Sequence, residues 1–484
     1  MRDWQRLDPR MLLVHPLIEL RRFVVPLVGV FLFGASQGGV GTFVGIAALA
    51  IPVTIGVVRY LTTSYRIADG RIELQRGLLN RQRLSTPLDR VRTVDLTASV
   101  VHRLLRLSTV GIGTGTAGTD GSDRLELDAL ATTEAGTLRD QLLAGAAVRA
   151  GVAGGREGEV GGVPTPAEPV VSFTPRWLLY APFTSTGLVI VGGLLGGLGQ
   201  IAGEYEVDIT IDERLAAPSG VLIAAAIVVL LLAALAITVV GYLVANGGLT
   251  LTRQPGSWHL RRGLLTTRET SIDIERVAGV GIGEPAALRM VRGARLSAIV
   301  TGLDRTDRGS EVLVPPAPAA VARTAATAVL GTAAPIDSPL TGHGRAAIRR
   351  RYARALWPAL LVSVAVALLV LAGLSPWLLV VTPVPVAAAV ALAADRARSL
   401  GHALSGAHLV ARSGSLLRRR DILDREHVIG WTFRDTWFQR RAGLTTLDAT
   451  TAGGRGRVTV LDLPAADATA FADDALPGLV AQFR

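Results

Sequence analysis

Gly263-Leu-Leu-Thr-Thr-Arg-Glu-Thr-Ser-Ile-Asp-Ile-Glu-Arg-Val277 decides the fold, because the chain carries it three times in altered form. The first copy reads GLLNRQRLSTPLDRV, from Gly77 to Val91, and the third reads GSLLRRRDILDREHV, from Gly414 to Val428. In each copy the valine follows the glycine by 14 positions, and the residue before it is Arg90, Arg276 or His427. An internal repeat is read before any single motif, because each copy is one structural unit.

The likeness extends in both directions. Upstream of each glycine lies a turn pair, Asp69-Gly70, Pro255-Gly256 or Ser405-Gly406, of the kind that joins two antiparallel strands. Ile72 and Leu74 alternate with Arg71, Glu73 and Gln75, which is the period of a half-buried strand. Downstream come Thr116-Ala117-Gly118, Val300-Thr301-Gly302 and Thr451-Ala452-Gly453. Each copy then ends in an expected helix: Glu134 to Ala147, Ala317 to Leu330, and Pro464 to Phe483. Several strands closed by one helix make a small α+β domain.

Between the copies the chain is apolar. Charged residues are 18% of the whole, against about 25% in soluble domains. Three stretches lack any charge: Phe23 to Val58; Trp177 to Gly203 continuing at Leu215 to Thr252; and Ala355 to Ala394. A helical span needs about 20 apolar residues, so each stretch reads as a membrane hairpin and the chain as six spans. Breaks fall at Ser36-Gln37-Gly38-Gly39 and Gly373-Leu374-Ser375-Pro376. Arginines flank the first and third hairpins, and the turn of the second carries Glu204, Glu206, Asp208, Asp212 and Glu213. Positive loops stay inside the cell, which places both termini and every large polar segment in the cytoplasm. The expected order is a lead-in with hairpin one (1–62), domain one (63–147), a linker (148–170) and hairpin two (171–245). Domain two (246–331), a linker (332–348), hairpin three (349–395) and domain three (396–484) follow.

Signals for chemistry are weak. Gly113 to Gly118 spells G-x-G-x-x-G, but a dinucleotide site needs a helix opening on the last glycine. Here a turn, Thr119-Asp-Gly-Ser-Asp123, follows instead, and the other two copies lack the glycines. Gly34-Ala-Ser36-Gln-Gly38 spells G-x-S-x-G inside a membrane turn with no histidine in any span. The chain has no cysteine, and none of its seven histidines pairs with another at helical spacing. His402 and His408 flank one hairpin turn, a placement from which they could face each other, but two ligands do not make a metal site and the histidines read as lone residues on polar surfaces. No catalytic residue, metal site or cofactor is expected, and no nucleic acid partner. The spans hold no ionisable residue, which argues against a pump. Reading along the chain no lysine is found, so the basic residues are all arginine, linkers included, and the net charge is +11. Arginines recur between the repeat glycine and just past its valine: Arg81, Arg83, Arg90 and Arg92; Arg268 and Arg276; Arg418, Arg419 and Arg420. Beside an anionic leaflet each could gain about 1 kcal/mol, which makes them candidate lipid contacts.

The unit Tyr65-Arg-Ile, Asp69-Gly70, Gly77-Leu-Leu79, Arg90-Val91, Leu104-Leu105 and Thr116-Ala117-Gly118, alternating with membrane hairpins, resembles the bacterial pleckstrin-homology-like family. Its members are also called membrane-flanked domain or YdbT-like proteins. Trp4, Arg6, Leu7 and Pro9 resemble the family's N-terminal lead-in. The resemblance implies PH-like β-sandwiches or barrels, each closed by a C-terminal helix, and no active site. It implies a scaffold that meets membrane lipids, a protein partner or its own copies, in processes such as envelope stress or antimicrobial resistance. The competing expectation is a component of a transport or export system.

Overall fold

The computed structural model describes residues 4–12, most of 54–77, 82–87, 93–113, 125–149, 169–184, parts of 186–197, 216–301, 312–373 and 375–480. Strands β1 (Gln5–Arg6), β2 (Ser64–Ala68), β3 (Arg71–Arg76) and β4 (Gln82–Pro87) lead into β5 (Thr93–Ala98). The helix Val100–Leu104, then β6 (Leu107–Gly113), β7 (Leu125–Ala131) and the helix Thr132–Arg149 follow. After β8 (Pro169–Ser172) come β9 (Thr250–Gln254), β10 (Ser257–Arg262), β11 (Thr267–Asp273) and β12 (Val277–Pro285). The helix Ala286–Met290, β13 (Gly293–Val300), β14 (Val312–Pro318) and the helix Ala319–Leu330 complete that stretch. The last stretch holds β15 (Gly401–Ser405), β16 (His408–Ser413), β17 (Leu417–Asp424), β18 (Gly430–Arg434) and the helix Trp437–Arg441. It ends with β19 (Leu444–Thr450), β20 (Arg457–Pro464) and the helix Ala465–Ala475.

The sheets cross from one stretch into the next. The first has the order β1-β2-β3-β4 and the second β7-β6-β5-β11-β10-β9-β8. The third runs β14-β13-β12-β17-β16-β15, and the last is β18-β19-β20. Contacts divide the chain into two compact units. One is Met1–Ser172 with Val244–Arg276 and Gly302–Asp307. The other is Phe173–Leu243, Val277–Thr301 and Arg308–Arg484. The cut passes between β11 and β12, within the segment 246–331 that the sequence groups as one domain. In the first unit Ile72, Leu74, Val94, Val110, Leu125 and Leu142 form a core with Leu7 and Met11 of the lead-in. In the second, Ala278 and Ile299 pack with Leu409, Leu423, Leu447, Val460 and Phe471.

The repeat glycines have a common cause. Gly77, Gly263 and Gly414 take φ of 104°, 100° and 104°, a region that L side chains avoid. A Cβ on Gly263 would strike the carbonyl of Thr266, and one on Gly414 the carbonyl of Leu417. The glycine lets the chain turn tightly from one strand into the next.

Among the described residues, three helical segments are long and apolar enough to cross a membrane: Ile227–Asn246, Gly344–Leu371 and Leu378–Ser399. Their apolar side chains face outward, with Leu232, Val240, Val362 and Leu368 exposed, as suits a lipid surround. Gly373, at φ of 107°, lies in the turn between the last two. The apolar stretch from Trp177 starts differently from expectation: Pro175–Phe183 is a 3-10 helix with Trp177 buried edge-on to Phe173. Pro175 opens this helix, where an N–H would have no partner, but Pro182 lacks the N–H that an α-helix would use at its position. Most of the first hairpin, 23–58, lies outside the described residues.

Gly414→Ala should lower the unfolding midpoint of the detergent-solubilised chain, with a loss of about 1–3 kcal/mol from the forced backbone. Gly136→Ala, inside the helix Thr132–Arg149 where a Cβ meets nothing within 4 Å, should hold or raise it by at most about 1 kcal/mol. Equal midpoints for the two variants would contradict this account of the glycine.

Candidate interaction surfaces

Two strand pairs join successive repeats, and they use one register. At the first seam β5 runs antiparallel to β11, with Thr93 opposite Ile272 and Leu96 opposite Glu269. At the second β12 runs antiparallel to β17, with Gly279 opposite Leu423 and Ile282 opposite Arg420. Counted from the repeat glycine and valine, Thr93 corresponds to Gly279 and Ile272 to Leu423. A side-chain contact repeats as well. Arg103 Nη1 donates to the carbonyl of Leu264 at 2.5 Å, and Arg289 Nη2 to that of Ser415 at 3.0 Å. Both arginines stand at the same distance past the valine, and both acceptors directly follow the glycine.

The candidate arginines are placed by these seams and their surroundings. Arg418 pairs with Asp395 at 2.8 Å, and Arg289 holds the same carboxylate through both Nη atoms, at 2.8 and 2.7 Å. The hydrogen bond to Asp395 raises the Arg289 pKa, so the guanidinium is firmly charged. Arg419 pairs with Asp421, and Gly281 of the neighbouring strand leaves the room its guanidinium occupies. Arg420 Nη2 donates to the Ser338 carbonyl at 2.7 Å. Arg276 contacts Asp273 at 3.3 Å. Arg268 is exposed, and so is Arg83, whose guanidinium lies 5.7 Å from the Trp4 ring centre. Arg81, Arg90 and Arg92 lie outside the described residues.

Other polar groups were not visible as partners in the sequence. Asp462, 1% exposed, meets Arg351 at 2.5 Å and also Arg350 and Gln439. Both arginines sit near the start of the helix Gly344–Leu371, so this buried carboxylate ties a membrane helix to β20. Separations beyond a hundred residues leave no local pattern to find. His402 does not face His408, which lies opposite Ser405 across the turn. It meets His343 instead. His343 Nδ1 donates to the Leu461 carbonyl at 2.7 Å, which leaves its Nε2 to accept from His402 Nδ1 at 3.0 Å. The ring of Phe471 closes over His402 at 4.7 Å. In the first unit a cavity of about 340 Å³ is lined by Gln5, Tyr65, Ile67, Glu134 and Gln141. Its single carboxylate offers no acid–base pair. Of the glycine run 111–118, Gly111 to Gly113 end strand β6, and the rest lies outside the described residues. Among the described residues no cluster of metal-ligating side chains occurs.

A family model for the bacterial PH domain matches residues 23–146 and 354–474, about half of the chain. The chain belongs to this family. No curated protein and no solved structure matches it. The two matched stretches of this bacterial PH-domain protein contain the outer copies of the repeat, together with apolar segments before them. Sheet-rich PH-like parts and apolar helices of membrane-crossing length therefore occur in one chain.

The histidine pair gives this bacterial PH-domain protein a pH-sensitive core. Burial, reinforced by the neighbouring imidazole, holds His402 down to about 4, and burial also lowers His343 despite Asp462 nearby. An unfolded histidine titrates near 6.5, so between about 4 and 6.5 the unfolded chain binds more protons. Stability from the pair is complete above that range and is lost as the pH falls through it. The unfolding midpoint should therefore drop between pH 6.5 and 4, and His402→Gln should flatten much of that decline. An unchanged slope in the variant would remove the pair as its cause.

Proposed function

We propose that this bacterial PH-domain protein is a non-enzymatic, multi-pass scaffold of the cell membrane. Both termini and the PH-like sheets lie on the cytoplasmic side. Sheet edges are its protein-binding surfaces, and exposed arginines make a secondary contact with anionic headgroups. One observation carries the reading: the PH-like halves already associate edge to edge at two places within the chain, in one register. Of the candidate arginines, Arg276, Arg418 and Arg419 contact carboxylates, which leaves less charge for lipid. Arg83 and Arg268 remain exposed for that use.

The balance between protein and lipid can be measured by hydrogen exchange on the full chain in neutral and in anionic nanodiscs. The strands should be equally protected in both. A modest extra protection in anionic lipid should centre on Arg83 and Arg268 and vanish when both become glutamate. Protection of the sheets only in anionic lipid would make lipid the principal ligand and overturn the reading. Topology is tested by adding single cysteines at Ser219 and Ser413, since the chain has none. A membrane-impermeant thiol reagent on intact cells should label the first and spare the second, and the reverse would invert the orientation.

A further inference from the structure

The repeat makes two seams but supplies edges for three. Each seam joins the strand after the repeat valine to the strand before the valine of the next copy. Strand β4 of the first copy ends its sheet, with one side unpaired among the described residues. Strand β18 of the third copy likewise ends its sheet among the described residues. These are the two complementary halves of the same joint.

Four of the other six sheet edges, β1, β8, β14 and β7, carry features that discourage pairing. Strand β1 has two residues and β8 has four. Strand β14 contains Pro315, Pro316 and Pro318, and the pairing of β6 with β7 is bulged. Short length, proline and bulges are the usual protections of an edge. Strand β18, Gly-Trp-Thr-Phe-Arg, has none of them, and β4 has a proline only at its last position. Strand β18 also exposes what the seams cover. Phe433 is 46% exposed, whereas Leu96 and Ile282 at the same repeat position are 9% and 4% exposed. Arg440 corresponds to Arg103 and Arg289, but among the described residues its exposed side chain meets the nearby Asp435, at 3.0 Å, and no carbonyl of another copy.

We propose that β18 of one molecule pairs antiparallel with β4 of a second copy of this chain, in the register of the internal seams. The proposal rests on the protein-binding reading above and names its partner. The shared register sets Gly430 opposite Thr86, Thr432 opposite Leu84, and Phe433 opposite Arg83. The stem of Arg83 then covers the Phe433 ring, as Glu269 and Arg420 stand opposite Leu96 and Ile282 at the internal seams. Arg440 stands where Arg103 and Arg289 cross the internal seams, and becomes available to cross this one. The two surfaces differ, so the contact is head to tail and builds a ring or an open chain of molecules in the membrane plane.

Two full-length variants, Leu84→Cys and Thr432→Cys, test this when mixed in nanodiscs or native membranes under mild oxidation. The native chain lacks cysteine, so bridges form only at the introduced positions, and tags of different size on the two variants separate the mixed dimer from either homodimer. A disulfide needs Cα atoms about 4.4–6.8 Å apart, so the mixed dimer should exceed that of an out-of-register pair, Arg71→Cys with Thr432→Cys, by roughly tenfold or more. Arg440→Ala and Thr432→Pro should each reduce the mixed dimer and the concentration-dependent oligomer seen by light scattering in detergent. Their retained unfolding midpoint would separate this loss from misfolding. Equal bridging in and out of register, or a monomer at every concentration, would overturn the proposal. So would a doubly substituted chain that bridges only within itself, since the partner would then be its own edge. None of these failures alters the nanodisc exchange experiment, whose outcome judges the scaffold reading separately.

Discussion

A strand at the edge of a sheet presents a row of backbone N–H and C=O groups that need partners, and this need organises the molecule. In a single PH-like repeat the strand after the valine and the strand before it would both be edges. The chain satisfies them by pairing β5 with β11 and β12 with β17. Each joined sheet thereby takes strands from two successive repeats. The hydrophobic cores follow: Ala278 and Ile299 from the second copy lie in one cluster with residues of the third. Arg103 and Arg289 then add charge-assisted hydrogen bonds across each joint, stronger than neutral ones.

The attachment to the membrane helices obeys a different constraint. A buried carboxylate is costly unless it is paired, and Asp462 is paired with two arginines at the root of the helix Gly344–Leu371. Asp395 plays the matching part at the end of the other helix, between Arg289 and Arg418. Both ends of this helical pair are therefore clamped to the sheets of the second unit by ion pairs. Apolar contacts would not hold direction as strictly, because hydrophobic burial is not directional.

Local features were legible in the sequence. The turn pairs at Pro255-Gly256 and Ser405-Gly406 do join strands, and the first two closing helices lie within about two residues of their expected bounds, while the third, expected to reach Phe483, breaks after Ala475. The glycines at 263 and 414 were visible as a repeat, and their φ explains them. The seams were not legible. An edge strand and a central strand carry the same alternation, and only the partner, more than a hundred residues away, distinguishes them. The arginines of β17 illustrate the same limit. Their spacing suggested a charged surface, while Asp395 and Ser338, which engage Arg418 and Arg420, stand at no fixed offset in the sequence. The flanking positions of His402 and His408 allowed them to face each other, but the strand register sets His408 against Ser405 and His402 against Ala411.

The offset between repeat and sheet bears on how such a chain can grow. The length of chain that is copied runs from a turn pair through its closing helix, but the joined sheet begins halfway through one copy and ends halfway through the next. The period of duplication and the period of folding are the same length and out of phase. Inserting another copy therefore adds a complete joint and leaves the number of unpaired ends unchanged. Cutting at the borders of a copy does the opposite, since it opens a joint and exposes two edges. A gene built this way tolerates gain of whole copies more readily than their separation, and its smallest independent piece is longer than its repeat.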